Sequence, residues 1–432
     1  MTSLLRKKVV FLSPPNPFLQ NQRSVPKIGL LYLAAELLHQ GHEVKVIHLV
    51  NLNELEELPK DIDFIGISAT TREYPSAIQC LNYLKRVGHH AIVSIGGPHA
   101  TALPNECMMN GFDIVVCGDA ENEINRLVCI KKPESPILVR CNSVADIDQI
   151  IFPARHVLQE KYSAYTPGIY GKELLTTSIL LTRGCPYKCA FCGPHNRYRR
   201  RSIENISKEI ELIYEAGYRN LIVIDDLPFI KETHVIDFCR IMKRFPGMVF
   251  RCNFRGDLFT ENIAHMLKQA ACKRVQFGIE SASDSILNSI KKRASVDVNS
   301  NAIKLCRKYG LGSKAMFIWG LPGDNTRTAE AMISWVKSTR PDSIQISNYV
   351  PLPGSPLWKL GDHSKVVDYE SLSFFDDYPH VTQANRPEIE KQYSLRRYIM
   401  DQLSHITHID RGVDDAIDDT YPASMMKAEA II

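Results

Sequence analysis

The chain has 432 residues, 44% of them hydrophobic and 23% charged, with a formal net charge of +4 at pH 7. This length predicts two or three domains with substantial cores, and the composition is typical of a globular protein and excludes a disordered or fibrous one. The charge is too small for a dedicated nucleic-acid or membrane-surface binder. The sequence has no membrane-spanning apolar run and no signal-peptide pattern before Pro14, which predicts a cytoplasmic protein.

Residues 1–135 alternate apolar strands with helices. Five apolar runs, from KKVVFLSPP to FDIVVCG, are separated by stretches such as GLLYLAAELLHQGHEV, whose apolar residues recur at helical spacing. Strands without polar alternation that are joined by helices indicate a parallel sheet covered on both faces, so we predict a doubly wound, Rossmann-like α/β domain. Ligands of such sheets bind beyond the carboxyl ends of the strands, where short polar segments follow.

Residues 136–173 contain several prolines and lack the regular spacing of apolar residues seen before them, so we predict that they form a linker. Six further strands alternate with amphipathic helices over 174–360, from TTSILLTR to SIQISNYV. Six such units predict a partial TIM-like (β/α)6 barrel with its chemistry at the carboxyl ends of the strands. Residues 361–432 are predicted to form a mostly helical extension.

The loop RGCPYKCAFC follows the first barrel strand and carries Cys185, Cys189 and Cys192. Thiolates are soft ligands suited to iron–sulfur clusters or zinc, and three of them leave one coordination position free, as a catalytic centre requires. Two alternatives are a zinc knuckle with His195 as fourth ligand and three unrelated core thiols. Four other cysteines lack metal-ligand spacing and are predicted to be core thiols: Cys239, Cys252, Cys272 and Cys306.

With Phe191, this loop resembles the CxxxCxΦC motif of radical S-adenosylmethionine (radical SAM) enzymes, and the resemblance covers roughly 177–357. It implies that the three cysteines bind a [4Fe–4S] cluster whose fourth iron is chelated by SAM. It also implies an enzyme that reductively cleaves SAM to a 5′-deoxyadenosyl radical, with an electron donor such as flavodoxin or ferredoxin.

The resemblance implies SAM contacts at the ends of successive strands. Asp225 and Asp226 would lie near the SAM amino group, Arg255 near its carboxylate and Glu280 near its ribose, with Phe191 beside the adenine. Each has a structural alternative. Asp226 is also suited to be a helix N-cap, and Arg255 to pair with Asp257 on the surface.

The N-terminal domain resembles the cobalamin (B12)-binding type that precedes the barrel in one radical SAM subgroup. The resemblance implies cobalamin contacts at seven positions: Ser68, Thr70, Gly96, Gly97, His99, Thr101 and Gly118. The chain lacks the DxHxxG segment whose histidine ligates cobalt in other cobalamin proteins, so two alternatives stay open. Cobalamin binds without a histidine ligand, or the domain keeps the fold and no longer binds cobalamin.

These features predict cobalamin-dependent C-methylation of a small molecule. The alternatives are a radical cyclisation, rearrangement or oxidation that does not use cobalamin for methyl transfer, and a non-catalytic metal-binding regulator. The basic cluster RYRRR at 197–201 is predicted to begin a solvated helix or to receive an acidic electron donor.

Overall fold

A computed structural model describes residues 6–16, 22, 26–158, 163–164, 174–193, 197–360 and 386–410. It contains a six-stranded parallel sheet followed by a larger, mostly parallel sheet, each covered by helices, which confirms the predicted fold class. Within those residues, no helix combines the length and the apolar character needed to cross a membrane. The predicted domain boundaries stay predictions.

The first sheet has the strand order β2-β1-β3-β4-β5-β6, and every neighbouring pair is parallel. Its strands are β1 (Lys8–Ser13), β2 (Glu43–His48), β3 (Phe64–Ser68), β4 (Ile92–Gly96), β5 (Ile114–Cys117) and β6 (Ile137–Arg140). Its helices are α1 (Ile28–His39), α2 (Tyr74–Arg86), α3 (Pro98–Ala102), α4 (Pro104–Met109) and α5 (Ile124–Cys129). A buried apolar cluster covers each face, as expected for strands that are apolar on both sides.

The sixth strand, β6, lies in the segment predicted to be a linker. It pairs in parallel with β5 from Ile114–Ile137 to Cys117–Arg140. Its end residues are exposed and its middle residues half-buried, because it is the edge strand. A four-residue edge strand has too few buried side chains to produce an apolar period, and the sequence analysis therefore missed it.

The second sheet confirms the six predicted barrel strands, which run in parallel and in chain order. They are β8 (Leu174–Ile179), β11 (Asn220–Val223), β12 (Val249–Phe254), β13 (Cys272–Glu280), β14 (Gly312–Trp319) and β15 (Ser343–Asn348). Two-residue strands flank the first of them: β7 (Ser163–Ala164), β9 (Thr182–Arg183) and β10 (Arg199–Arg200). The covering helices are α6 (Ile203–Glu215), α7 (Glu232–Met242), α8 (Glu261–Gln269), α9 (Asp284–Ser289), α10 (Val296–Tyr309) and α11 (Thr326–Thr339).

The C-terminal part closes the far edge of the barrel sheet. After the short helix α12 (Pro356–Leu360), the structure describes α13 (Arg386–Leu403) and a seventh parallel strand, β16 (His408–Asp410), which pairs with β15. Ile399 and Leu403 of α13 belong to the barrel core. The C-terminal helix was predicted, but β16 was not, because three residues carry no periodic signal.

Candidate functional site

The cysteine loop lies at the carboxyl end of β8, between β9 and β10, which pair in an antiparallel ladder and hold the two ends of the loop together. Cys189 is buried, Cys185 is half-buried and Cys192 is exposed. Ala190 N donates to the Ile290 carbonyl at 2.8 Å, and the Ala190 carbonyl accepts from Leu357 N at 2.9 Å. The loop is therefore fixed by backbone hydrogen bonds to the segments that follow β13 and β15.

The three thiols lie close enough for their charges to interact. Although Cys192 is exposed, desolvation by the surrounding protein and the charges of Asp226, Cys189 and Cys185 raise its pKa to about 11. Desolvation, Asp226 and Cys189 raise the pKa of Cys185. In the described residues, no three His, Cys, Asp or Glu side chains converge as ligands of a single metal ion. A cuboidal cluster holds its thiolates further apart than one ion does, since each thiolate binds a different iron. Three soft thiols on one tethered loop therefore fit an iron–sulfur cluster. His195, the proposed fourth zinc ligand, lies outside the described residues.

The two predicted aspartates occupy different environments. Asp225 is 1% exposed and accepts hydrogen bonds from Leu181 N and from the backbone and side chain of Thr182, so it orders the turn that leads into the cysteine loop. Burial raises the pKa of Asp225 to about 7. Asp226 keeps solvent contact at the barrel mouth, and partial desolvation raises its pKa. Its alternative as an N-cap is wrong, because Lys231 occupies the N-cap position of α7.

Arg255 is buried beneath the cysteine loop. Its guanidinium carbon lies 3.7 Å from the ring centroid of Tyr187, a loop residue, and its Nη2 donates to the Lys292 carbonyl at 2.6 Å. It also forms a two-point ion pair with Asp257, at 2.9 and 3.2 Å. The alternative pairing of Arg255 with Asp257 therefore occurs, but the guanidinium that forms it is buried and does not lie on the surface.

Glu280 ends β13 in a strained conformation. Its φ is +63°, which is rare for a residue with a side chain, and the β13–β14 register shifts between Gly278 and Glu280. The carboxylate of Glu280 forms an ion pair with the buried Lys292 at 2.8 Å. Strain of this kind persists where the surroundings over-determine the backbone, as they often do at functional sites.

Phe191 packs against a small apolar cluster of Ile286, Leu287, Ile290 and Leu321, which joins the cysteine loop to α9 and to the turn after β14. The five predicted SAM-contact residues therefore follow the carboxyl ends of β8, β11, β12 and β13. Phe191 lies within the loop, Arg255 contacts its Tyr187, and Asp226 lies close to Cys185 and Cys192. The carboxylate of Asp225 is occupied by backbone donors, so its role as a SAM contact gains no support from this geometry.

The predicted cobalamin contacts lie at the carboxyl edge of the first sheet, where all except His99 have solvent contact. Gly97 has a φ of +93°, and a Cβ there would meet the backbone of Ala69 at 3.0 Å, so the glycine permits close packing of the loops after β3 and β4. Thr101 Oγ1 donates to the Gly97 carbonyl at 3.0 Å and accepts from Gly118 N at 3.2 Å. These residues form a continuous, hydrogen-bonded edge of small side chains.

His99 is fully buried and does not contribute to that edge. Its ring stacks on Tyr74 with a centroid separation of 3.7 Å, and its Nε2 lies 3.8 Å from Glu106. Burial lowers the pKa of His99 to about 4, so the ring is neutral at physiological pH. The alternative of a surface-loop histidine is therefore wrong. The predicted cobalamin contact at His99 stays a prediction, and the ring of His99 has no exposed atom with which to make it.

Ion pairs connect this edge to the cysteine loop, and the sequence analysis missed them. Asp119, just after β5, pairs with Arg199 at 2.8 Å and with Arg183 at 3.4 Å, and Glu121 also pairs with Arg183. Arg183 is the first residue of the segment RGCPYKCAFC that carries the three cysteines. The carboxyl edge of the first sheet therefore contacts both strands that hold the ends of the loop. The only sequence signal was the acidic pair in GDAE, which is too short to indicate a partner.

The basic cluster at 197–201 is not the start of a solvated helix, so that prediction is wrong. Arg199 and Arg201 are 8% and 4% exposed, and α6 begins only at Ile203. Arg201 pairs with the fully buried Glu209, which also binds Arg155 from the segment predicted to be a linker, at 2.6 Å. Buried charges need partners, which here come from elements distant in sequence.

Comparison with known proteins gives two family matches. Residues 179–336 match the model of the radical SAM superfamily, and residues 22–128 match that of the B12-binding domain. The chain is 28% identical to an uncharacterized methyltransferase, PH0819, of Pyrococcus horikoshii over 77% of this chain and 78% of that protein. It is 25% identical to an anaerobic magnesium-protoporphyrin IX monomethyl ester cyclase of Rubrivivax gelatinosus over 87% of this chain and 74% of that protein.

A solved structure has the same fold. It is the radical S-adenosylmethionine methyltransferase TsrM of Kitasatospora setae with cobalamin and a [4Fe–4S] cluster bound, which superposes with a TM-score of 0.64 at 16% identity over 82% of this chain and 74% of that one. Fold and cysteine loop together define an iron–sulfur enzyme built on a partial barrel. Residues 22–128 therefore carry a B12-binding domain, and residues 179–336 carry a radical SAM domain.

Proposed function

We propose that the protein is a cobalamin-dependent radical SAM methyltransferase that methylates a carbon atom of a small molecule. The observation that carries this proposal is the contact of Asp119 and Glu121 with Arg183 and Arg199, which brings the carboxyl edge of the B12-binding domain against the cysteine loop. A methyl group carried at that edge and a radical formed at the loop would then reach one substrate. When bound, the cofactors supply these two reactive groups.

The residues around the loop suit the binding of SAM. Cys185, Cys189 and Cys192 would hold the cluster. The carboxylate of Asp226 is exposed at the barrel mouth and has no hydrogen-bond partner among the described residues, so it would accept a hydrogen bond from the SAM ammonium.

The other SAM contacts would come from the buried Arg255 and Glu280 and from the half-buried Phe191. Arg255 would attract the SAM carboxylate electrostatically, although Asp257 occupies part of its guanidinium. Glu280 would accept from the ribose hydroxyls, and Phe191 would pack on the adenine. These groups orient SAM and exclude water, which is the contribution of the protein to the radical chemistry.

The N-terminal edge would bind cobalamin without a histidine ligand to cobalt. Ser68, Thr70, Thr101 and the adjoining glycines offer small side chains and closely approachable backbone against which a large planar ring can lie. The buried, neutral His99 supports this interpretation, because it has no exposed nitrogen to offer.

A second candidate function has a specific observation in its favour. The cyclase of Rubrivivax gelatinosus matches 87% of this chain, so a radical ring closure with the same two domains is compatible with the alignment. The shared chemistry of both candidates is abstraction of a hydrogen atom from a small-molecule carbon.

The test is anaerobic reconstitution of purified protein with iron, sulfide and cobalamin, followed by reduction with dithionite in the presence of SAM. Formation of 5′-deoxyadenosine supports the radical SAM reaction, and its absence contradicts it. Retention of cobalamin after gel filtration, together with transfer of label from methyl-labelled SAM to protein-bound cobalamin, supports methyl transfer. Release of 5′-deoxyadenosine without cobalamin retention favours the second candidate.

A further inference from the structure

A basic cavity borders the cysteine loop. It has a volume of about 450 Å³ and is lined by Lys188, Asn288, Lys291, Arg293 and Pro356. Three of the five lining residues are cations and none is an acid. The cavity belongs neither to the predicted SAM contacts nor to the edge of the B12-binding domain.

Every lining segment is attached to the cysteine loop. Lys188 lies within the loop, directly before Cys189. Lys291 follows Ile290, whose carbonyl accepts from Ala190 N at 2.8 Å. Pro356 precedes Leu357, whose N–H donates to the Ala190 carbonyl at 2.9 Å. A molecule seated on this surface would therefore be separated from the thiols by little more than the loop itself.

Within the described part of the chain, the three cations differ from their neighbours in having no carboxylate partner. Arg255 and Lys292 are buried and ion-paired, with Asp257 and Glu280 respectively. Lys188, Lys291 and Arg293 are exposed, and among the residues that the structure describes none of them forms an ion pair. Their charges are therefore uncompensated and face solvent together.

The backbone around Lys292 maintains this exposure. Lys291 and Arg293 have φ values of +56° and +55°, which residues with side chains rarely adopt. These two left-handed residues leave Lys292 buried between two exposed cations. Such strain is retained only where the surrounding structure enforces it.

We propose that this basic surface docks an acidic, low-potential electron-transfer protein of the flavodoxin or ferredoxin class. The inference rests on the proposed function, since it requires a cluster on the loop that must be reduced from outside. The reduced flavin or iron–sulfur centre of the donor loses one electron, the cluster gains that electron, and no bond is formed between the two proteins. Complementary charge accelerates the encounter and orients the partner.

Two other interpretations fit less well. The cluster RYRRR cannot be the main docking surface, because Arg199 and Arg201 are buried in ion pairs. A small-anion site requires convergent polar groups that are shielded from water, whereas all three cations here are exposed. A group of exposed cations without an acidic residue among them is typical of a protein–protein encounter surface.

The test compares two double variants of the full-length, reconstituted enzyme that carry the same change in charge. The first is Lys291→Glu with Arg293→Glu in the cavity. The control is Lys304→Glu with Lys337→Glu, two exposed lysines on α10 and α11 that do not line the cavity. Thermal melting of all three proteins checks that the variants are folded.

The first readout is binding of fluorescently labelled flavodoxin, measured by anisotropy at low and high salt. We expect the cavity variant to bind at least about 10-fold more weakly at low salt, and the difference to shrink as salt increases. The control variant should bind like the unaltered enzyme. Equal affinities of the cavity variant and the unaltered enzyme would overturn the proposal.

The second readout separates this proposal from the proposed function. With dithionite as reductant, the cavity variant should form 5′-deoxyadenosine at the rate of the unaltered enzyme, whereas with reduced flavodoxin its rate should fall. No cleavage by the unaltered enzyme with dithionite would contradict the proposed function. Equal losses with both reductants would overturn the docking surface alone, as would tight binding of inorganic phosphate to the cavity that leaves flavodoxin affinity unchanged.

Discussion

The carboxyl edges of the two sheets meet, yet they are built from different chemistry. The barrel edge carries thiols and charged groups that are held by other charges: Arg255 by Asp257, and Glu280 by Lys292. The edge of the B12-binding domain consists of small residues joined by hydrogen bonds such as Thr101 to Gly97, with its histidine buried. This difference fits the proposed function, in which the barrel edge would bind a small charged ligand through specific partners and the first domain would offer a shaped surface to a large one.

The largest expected effect is at the barrel edge. Changing Cys189 to Ala should abolish the iron–sulfur absorbance and all formation of 5′-deoxyadenosine, because two thiolates cannot hold the cluster. The matched control is Cys239→Ala, a buried core thiol in α7, which should keep both signals and lose about 1 kcal/mol of stability. An intact cluster in the Cys189 variant would contradict the assignment of Cys189 as a cluster ligand.

The contact between the edges is the next most sensitive feature. Arg183→Gln removes the partner of Glu121 and one partner of Asp119, and should lower the free energy of unfolding by about 1–3 kcal/mol, since both carboxylates are largely buried. Methyl transfer to substrate should fall more than dithionite-driven SAM cleavage, because cobalamin would be displaced from the loop. A double-mutant cycle with Glu121→Gln isolates the pair. Parallel losses of both activities would argue against a positioning role.

Asp226 and Asp225 provide a comparison within the barrel edge. Asp226→Asn should weaken SAM binding about 10-fold, the effect of removing one charge-assisted hydrogen bond, with little change in melting temperature. Asp225→Asn should lower the melting temperature and change SAM binding little, since the Asp225 carboxylate accepts hydrogen bonds from Leu181 and Thr182 and not from a ligand. Equilibrium SAM binding and thermal melting of both variants measure the two effects. If Asp225→Asn weakened SAM binding more, the assignment of the two residues would be reversed.

The smallest expected effect concerns pH. Burial raises the pKa of Asp324 to about 6, where it accepts from Gly320 N and Leu321 N in the turn after β14. The folded state therefore binds this proton more tightly than the unfolded state, so stability declines as pH rises from about 4 to about 6. Asp324→Asn can accept the same backbone hydrogen bonds without titrating. Denaturant unfolding over this pH range should show that the variant loses about 1–3 kcal/mol less of its free energy of unfolding than the unaltered protein does. An unchanged pH profile would contradict the raised pKa.

Much of the architecture and the centre of the site could be predicted from the sequence. Apolar strands of four to nine residues with helices between them carry a strong periodic signal, and all eleven predicted strands are present. The offsets of Cys185, Cys189 and Cys192 need no tertiary information, because all three ligands lie on one loop. The strands β6 and β16 were missed because short edge strands have little periodicity.

Only the tertiary structure decided which charged and polar residues are buried and with which partners. RYRRR has the composition of a solvated cluster, yet Arg199 and Arg201 are buried because Asp119 and Glu209 lie opposite them. His99 was expected in a loop, yet it lies in α3 and its ring is covered by Tyr74. Local patterns determine secondary structure and single-loop ligand sets, whereas the burial of a charge depends on partners up to 80 residues away in the chain.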